Sequence, residues 1–354
     1  MQAFLQKYHI QDEVLAVGVS GGADSMALAL MLREELSLYG KKIVALTIDH
    51  HLRPSSSDEA QYVAKVMQKF GIEHHILEWQ GPKPKTNIES VAREARYELL
   101  CNWCKSHHVG CLFMAHHCQD QAETFLIRLQ RGSGLDGLCA MRAVTEYKGI
   151  KILRPLLNRQ PQELQAYLQE KQVKWITDES NSDKRFLRNK IRSFLPQLEV
   201  STGISVEKIC NAVTHLQSSE NYIQQQVEEL LSSRVKQYSE TVVCFQYADF
   251  LSWHSEMKFR VLAQLCRQNY VPRSESVLRL IQNLCHLPFT GSTLGQKEIF
   301  LSGTTVWILP EIREKIRFKA KDWHDFVMSN PEYNNVKLPH KVKRALLMEK
   351  KIDL

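Results

Sequence analysis

Val14-Leu15-Ala16-Val17-Gly18-Val19, running into Ser20-Gly21-Gly22-Ala23-Asp24-Ser25, is the stretch on which the rest of the chain turns. A β-branched apolar run that stops on Ser-Gly-Gly reads as a buried strand entering a tight turn. Residues 23–36 then read as a helix. Two glycines allow the turn and let backbone N–H groups come close to an anion. The helix start adds unpaired donors and the positive end of its dipole, and Ser20 and Ser25 add hydroxyls. Asp24 is the odd member, because a carboxylate beside a phosphate repels it unless a cation lies between. Asp24 therefore suggests a magnesium ligand. The segment is neither a Walker A loop nor Gly-x-Gly-x-x-Gly. Two glycines alone would favour a plain strand–turn–helix link with an Asp cap; the full six residues behind this strand favour a phosphate cradle.

The surroundings repeat the pattern. Strands are expected at 41–48, 74–77 and 111–115, with helices at 57–70, 89–107 and 120–131. Apolar strands separated by helices imply an α/β fold with a doubly wound parallel sheet covered on both faces. Ligands of such sheets bind at the C-terminal strand edge, and Ser20, Asp49 and His116 all follow strand ends. After Leu157 the pattern turns helical: 161–172, 185–195 with Pro196 as its stop, 205–235, 255–268 and 274–286. A strand is expected at 241–247, and Ser302-Gly303-Thr304 reads as a hairpin turn inside 300–309. Three domains are expected: catalytic 1–200, helical 201–288, and a small basic α+β domain 289–354.

The 354 residues are 44% hydrophobic and 24% charged, with 15 glycines and 11 prolines, which excludes disordered and collagen-like chains. The longest apolar run, Met26 to Leu32, is seven residues, far short of the roughly 20 that span a bilayer. Met1 to Ile10 lacks the make-up of a signal peptide. Nine scattered cysteines fit reduced thiols, so a cytoplasmic location is expected. The net charge of +7 is mild. Lys184 to Arg192 nevertheless holds five basic residues in nine, and Arg313 to Leu354 eleven against six acidic. Such patches suit a phosphate backbone or an ordinary solvated surface.

Ser-Gly-Gly-x-Asp-Ser resembles the signature of the N-type ATP pyrophosphatases, which cleave ATP between the α and β phosphates and adenylate a substrate. Four further segments are similar to those of the tRNA(Ile)-lysidine synthetases. They are Ile48-Asp49-His50-His51-Leu52-Arg53, with His51 where the family has Gly; Ala92-Arg93-Glu94-Ala95-Arg96-Tyr97; Ala115-His116-His117-Cys118-Gln119-Asp120-Gln121-Ala122-Glu123-Thr124, with Gln119 for Asp; and Asp178-Glu179-Ser180-Asn181 with Arg188-Asn189-Lys190-Ile191-Arg192, with Glu179 for Pro. The matches cover residues 14 to 196.

The resemblance implies that the wobble cytidine of an isoleucine tRNA with a CAU anticodon attacks the α-phosphorus of ATP. L-lysine then displaces AMP to give lysidine. It implies a nucleotide site at Ser20, Gly21, Gly22, Ala23, Asp24, Ser25, Asp49 and Arg188, and catalytic groups Asp24, Arg93, Asp120 and Arg192. Asp24 and Asp120, from two strand-to-helix junctions, can converge on one Mg2+. Asp120 and Glu123 share a helix face, and with His116 they are the candidates for the lysine site. Glu123 would then be free to hold an ammonium group. Arg93 and Arg96, also i, i+3, suit a leaving pyrophosphate or a salt-bridged surface. No membrane partner is expected, and the oligomeric state stays open, a homodimer among the readings. The rivals are a thiolase of the same superfamily, with Cys101, Cys104, His108 and Cys111 as a metal or sulfur site, and an idle RNA-binding protein.

Overall fold

The structure is a computed structural model that describes the chain except residues 52–55, 81–87, 178–185, 268–270, 313–318 and 353–354. Contacts divide it into two compact units, Met1–Glu220 and Asn221–Leu354.

In the first unit the order is α1 (Gln2–Lys7), β1 (Val14–Gly18), α2 (Ala23–Leu36), β2 (Lys42–Asp49), α3 (Ser56–Lys69), β3 (Glu73–Glu78), α4 (Ile88–Ser106), β4 (Cys111–Phe113), α5 (Cys118–Gln130), α6 (Leu135–Leu138), β5 (Val144–Tyr147), β6 (Ile150–Leu153), α7 (Pro161–Glu170) and α8 (Leu187–Thr202). The sheet runs β3-β2-β1-β4-β6-β5, parallel except for the edge strand β5. The doubly wound expectation therefore holds, with an antiparallel edge added by the β5–β6 hairpin.

Strand periodicity explains the two-sided burial. Leu15, Val17, Ile43, Ala45 and Phe113 pack with α2, α3 and α7. Ala16, Val44, Leu46 and Leu112 face Tyr97, Leu100, Cys101 and Cys104 of α4. α2 is apolar around its whole circumference because it is buried on all sides: Met26, Ala27, Leu28, Ala29 and Leu32 are all inaccessible.

Pro196 does not stop its helix; α8 runs on to Thr202 with the proline inside. Ile191, Leu195 and Leu198 carry one packed stripe across it, against Ala122, Ile209 and Val213. That packing offsets the roughly 3 kcal/mol cost of an interior proline.

The long helix α9 (Val206–Arg234) begins in the first unit and ends in the second. The second unit then holds β7 (Val235–Gln237), β8 (Val243–Gln246), α10 (Tyr247–Ser252), α11 (Ser255–Leu265), α12 (Ser274–Cys285), β9 (Ser292–Leu294), β10 (Lys297–Ser302), β11 (Thr305–Pro310), α13 (Ala320–Ser329) and α14 (His340–Ile352). Its antiparallel sheet runs β7-β8-β11-β10-β9. β8 and β11, from either side of the expected boundary at 288, pair directly. Ile299, Val306 and Ile308 face one core with α11 and α12, and Phe300, Trp307 and Leu309 the other with α13 and α14. The expected turn joins β10 and β11, Ser302 opposite Thr305, with Gly303 at φ 61°. Among the described residues no helix is long and apolar enough to cross a membrane.

Candidate active site

Because β1, β2 and β4 are parallel, the Ser20–Ser25 turn, Asp49 and the His116-His117 pair all fall on one edge of the sheet. Gly21 sits at φ 83°, and a Cβ there would lie 2.6 Å from Ile176 Cδ1. Its carbonyl accepts the Ile176 N–H at 2.9 Å. Only glycine fits both the dihedral and the space. Gly22 caps α2 with no side-chain acceptor on the helix's first N–H groups, so the turn presents backbone donors and a positive dipole end to a ligand. Ser25 is buried and spent within the loop: its hydroxyl accepts from Ser20 N–H at 3.0 Å and donates to the Gly22 carbonyl at 3.1 Å. Ser20 stays exposed.

Asp24, 36% exposed, points its Oδ2 at His117 Nε2, 3.4 Å away, and Asp120 Oδ2 lies 3.6 Å from the same nitrogen. The backbone N–H of His117 donates to Asp120 Oδ2 at 3.0 Å. Burial alone would lower the His117 pKa, but the Asp24 hydrogen bond and the charges of Asp120 and Asp24 outweigh it, so the ring is held above its ordinary value. Burial also raises Asp120, yet His117, Arg188 and His116 bring its carboxyl below the usual range. His116 behaves oppositely. Burial first, then the charges of Arg154, Arg93 and Arg188, push it to about 3 against the pull of Asp120. It is a neutral imidazole whose Nδ1 is buried without a partner.

Glu123 is not the free carboxylate expected. It is 0% exposed. Its Oε2 accepts from Arg188 Nε at 2.6 Å and Arg192 Nη2 at 3.2 Å, and its Oε1 from Arg192 Nε at 2.6 Å. Arg188 also donates to Asp120 Oδ1 at 2.9 Å. The i, i+4 arginines of α8 thus clamp the i, i+3 carboxylates of α5, and Arg188 is turned to protein carboxylates. Asp49 is likewise internal: Oδ1 accepts from His51 N–H at 2.9 Å and Oδ2 from the Ser57 hydroxyl at 2.7 Å, tying the end of β2 to the start of α3. His51 takes φ 49°, the left-handed conformation that a glycine would adopt without strain. Arg93 is exposed on α4 with its guanidinium 5.2 Å from the Tyr97 ring. Arg53, Asp178-Glu179-Ser180-Asn181, Lys184 and Arg185 lie outside the described residues.

Between these parts lies a cleft of about 240 Å3 lined by Ala23, Asp24, His117, Gln119, Pro161, Gln162, Gln165 and Arg192. His117, at the centre of the charge network, was not singled out from sequence, and neither were Gln162 and Gln165. The signal for His117 was its place immediately before the first turn of α5, where a side chain faces the loops of neighbouring strands. Cys101, Cys104 and Cys111 are core residues whose thiols burial pushes up. Among the described residues no group of three or more His, Cys, Asp or Glu is placed to hold a metal ion, which removes the cysteine metal site.

The PP-loop domain family matches residues 1–199. A tRNA(Ile)-lysidine synthase of Wolbachia pipientis is 35% identical over 280 residues, covering 76% of this chain and 64% of the relative. One of Zymomonas mobilis is 34% identical over 232 residues, covering 64% of this chain and 68% of the relative. The chain belongs to the PP-loop family, in its tRNA(Ile)-lysidine synthase branch. A further member, from Bradyrhizobium diazoefficiens, is 42% identical over 191 residues and covers 53% of each chain. Among solved structures a U34-tRNA thiolase of Methanococcus maripaludis shares the PP-loop fold, at a TM-score of 0.50 and 19% identity, over 58% of this chain and 72% of that one. The chain spans 64% and 58% of the lengths of its Wolbachia pipientis and Orientia tsutsugamushi relatives.

Proposed function

We propose that this chain is a cytoplasmic ligase that uses ATP to adenylate the wobble cytidine of an isoleucine tRNA bearing a CAU anticodon, then replaces AMP by L-lysine. The observation that carries the reading is the α2 N-terminus, uncapped by any side chain and opening on a cleft that holds Asp24, His117 and Arg192. Backbone N–H groups of the turn bind phosphate oxygens, and Ser25 keeps the turn in shape. His117 orients Asp24. Arg192, held on Glu123, faces the cleft and offsets the charge that grows on the leaving pyrophosphate. Arg93 and Arg154 add positive potential from the His116 side.

The residues fit a divalent cation. The carboxylates of Asp24 and Asp120 converge within 3.4 and 3.6 Å of one ring nitrogen, Nε2 of His117, and Asp24 is the more exposed. Asp24, with Asp120, would hold Mg2+, which when bound supplies a Lewis acid for phosphate oxygens. For lysine, His116 and Asp120 remain the nearest candidates; Glu123 is reachable by an ammonium group only if Arg188 or Arg192 yields it. The test is mass spectrometry of nucleosides from isoleucine tRNA incubated with ATP and labelled lysine. A labelled cytidine adduct, lost in Asp24→Ala while tRNA binding persists, is expected. Full adduct formation by Asp24→Ala removes the metal role, and cleavage of ATP to ADP removes the reaction.

A further inference from the structure

Arg154 follows Leu153, the last residue of β6. Leu153 lies beside Phe113 of β4, and its carbonyl accepts the Met114 N–H at 2.8 Å. Alternation sorts the side chains beyond this pair. Phe113, Ala115 and Leu153 pack in the core on the α2 side, whereas Leu112, Met114 and Ile152 pack against α4. Arg154 stands two residues beyond Ile152 and His116 two beyond Met114, so both fall on the α4 side of the sheet edge. His117, one residue on, lines the cleft on the α2 side with Asp24. Arg154 is only 7% exposed. Its Nη1 donates to the Arg142 carbonyl at 3.1 Å and to the Thr145 hydroxyl at 2.9 Å. Its Nε is buried with no partner, as is Nδ1 of His116. Both acceptors of Nη1 are neutral, and among the described residues no carboxylate pairs with this guanidinium. Glu123, also buried, has two arginines. A charge taken out of water normally has a counter-charge, and that of Arg154 is not in the protein.

We propose that the missing counter-charge is the α-carboxylate of the amino-acid substrate, seated on Arg154 with its α-ammonium group on His116. The inference rests on the proposed function. With Nη1 spent on the protein, Nε and Nη2 form the edge of the guanidinium that clasps a carboxylate through two parallel N–H bonds. A small planar anion suits so deep a seat. The tetrahedral phosphates of ATP have their donors at the uncapped α2 N-terminus, on the other side of the sheet edge. The Arg154 charge also reaches His116 and helps to keep its ring neutral, and a neutral imidazole has one nitrogen that accepts from an ammonium N–H. The end of β4 thus divides the two substrates between consecutive histidines: nucleotide phosphates by His117 and Asp24, the amino acid by His116 and Arg154.

The test compares lysine with lysinamide, in which a neutral amide replaces the carboxylate. The full chain is given isoleucine tRNA, ATP and magnesium, and kcat/KM for adduct formation is measured with each amine. Wild type should favour lysine by about tenfold to a hundredfold, the worth of hydrogen bonds to a charged group. In Arg154→Gln that ratio should fall to within about threefold of one, and Arg154→Lys, which keeps a charge in the fold but not the paired donors, should fall between. The ratio is read on whatever fraction of a variant is active, and Arg154→Lys decides if Arg154→Gln turns over neither amine. A purely structural arginine would lower both amines together and leave the ratio at its wild-type value, which overturns the inference. So does a wild type that takes lysinamide as readily as lysine. Equilibrium dialysis with the two labelled amines separates this from the reaction: wild type that binds lysine in preference to lysinamide, a preference lost in Arg154→Gln, but forms no adduct refutes the proposed function and leaves the carboxylate seat standing.

Discussion

Replacing Glu123 by Ala tests the reading of the α5–α8 clamp most directly. The carboxylate is fully buried and accepts three N–H bonds from two arginines. Its removal leaves both guanidiniums without their main partner. Stripping one side of a buried ion pair costs about 3–5 kcal/mol. Two features place this case at the low end: Asp120 still accepts from Arg188 at 2.9 Å, and Arg188 and Arg192 are 26% and 33% exposed, so water reaches them. About 3 kcal/mol is therefore expected, or about 150-fold in a local opening equilibrium. With two compact units, a single unfolding curve would mix their transitions. Native-state hydrogen exchange of α5 and α8 peptides reads the clamp itself. Exchange there should quicken by about two decades in Glu123→Ala, with peptides of α13 and α14 unmoved. Glu123→Gln keeps the shape and one acceptor, so it should lose about half as much. Exchange in Glu123→Ala within threefold of the wild type would refute the clamp and return Glu123 to the ligand-facing role expected from sequence.

Gly21→Ala adds an unfavourable positive φ to an overlap at 2.6 Å with Ile176; about 2–4 kcal/mol and most of the ATP affinity should be lost. Gly40→Ala, at φ 72° in open space, should cost only about 1 kcal/mol and leave calorimetric ATP titrations unchanged. His74, pushed down to about 4 by burial and by the His75 charge, is neutral in the folded chain, so between pH 6.5 and 4 the unfolded chain takes up a proton that the folded one refuses. As pH falls through that window stability should drop by under about 1 kcal/mol per unit, because the ring is partly open to water; His74→Gln, measured by urea-dependent hydrogen exchange of β2 and β3 peptides, should flatten the slope, and an unchanged slope sinks the idea.

Much of the first unit was legible because continuous apolar runs and polar residues at strand ends are written locally. The β5–β6 hairpin was not. Its turn is Lys148-Gly149, at φ 50° and 80°, and lysine is not a residue that advertises a left-handed turn as Asn or Asp does. Pro196 misled for the converse reason: a local rule was overridden by a packed stripe from three helices. At the site, residue types and spacing identified the groups but not their partners. Asp120 and Glu123 at i, i+3 look the same whether they meet a ligand or two arginines that arrive some 65 residues later in the chain.

The substitution at His51 shows what a departure from a family pattern can leave intact. The resemblance has Gly there, and the backbone keeps the glycine-like conformation, at φ 49°. The strain, about 1–2 kcal/mol for a residue with a Cβ, is opposed by bonds that glycine has only in part. The His51 N–H donates to Asp49 Oδ1, as any residue's would, but the ring adds a contact of 3.3 Å to Asp49 Oδ2. Asp49 in turn holds Ser57 in the first turn of α3. The side chain that causes the strain therefore also supports the carboxylate that anchors the turn. His51→Val would keep the strain and lose the support, so it should loosen the start of α3, whereas His51→Gly should change stability by no more than about 0.5 kcal/mol, the gain in φ freedom being offset by the lost contact. Equal damage from both substitutions would show that the imidazole, and not the backbone conformation, is what this turn requires.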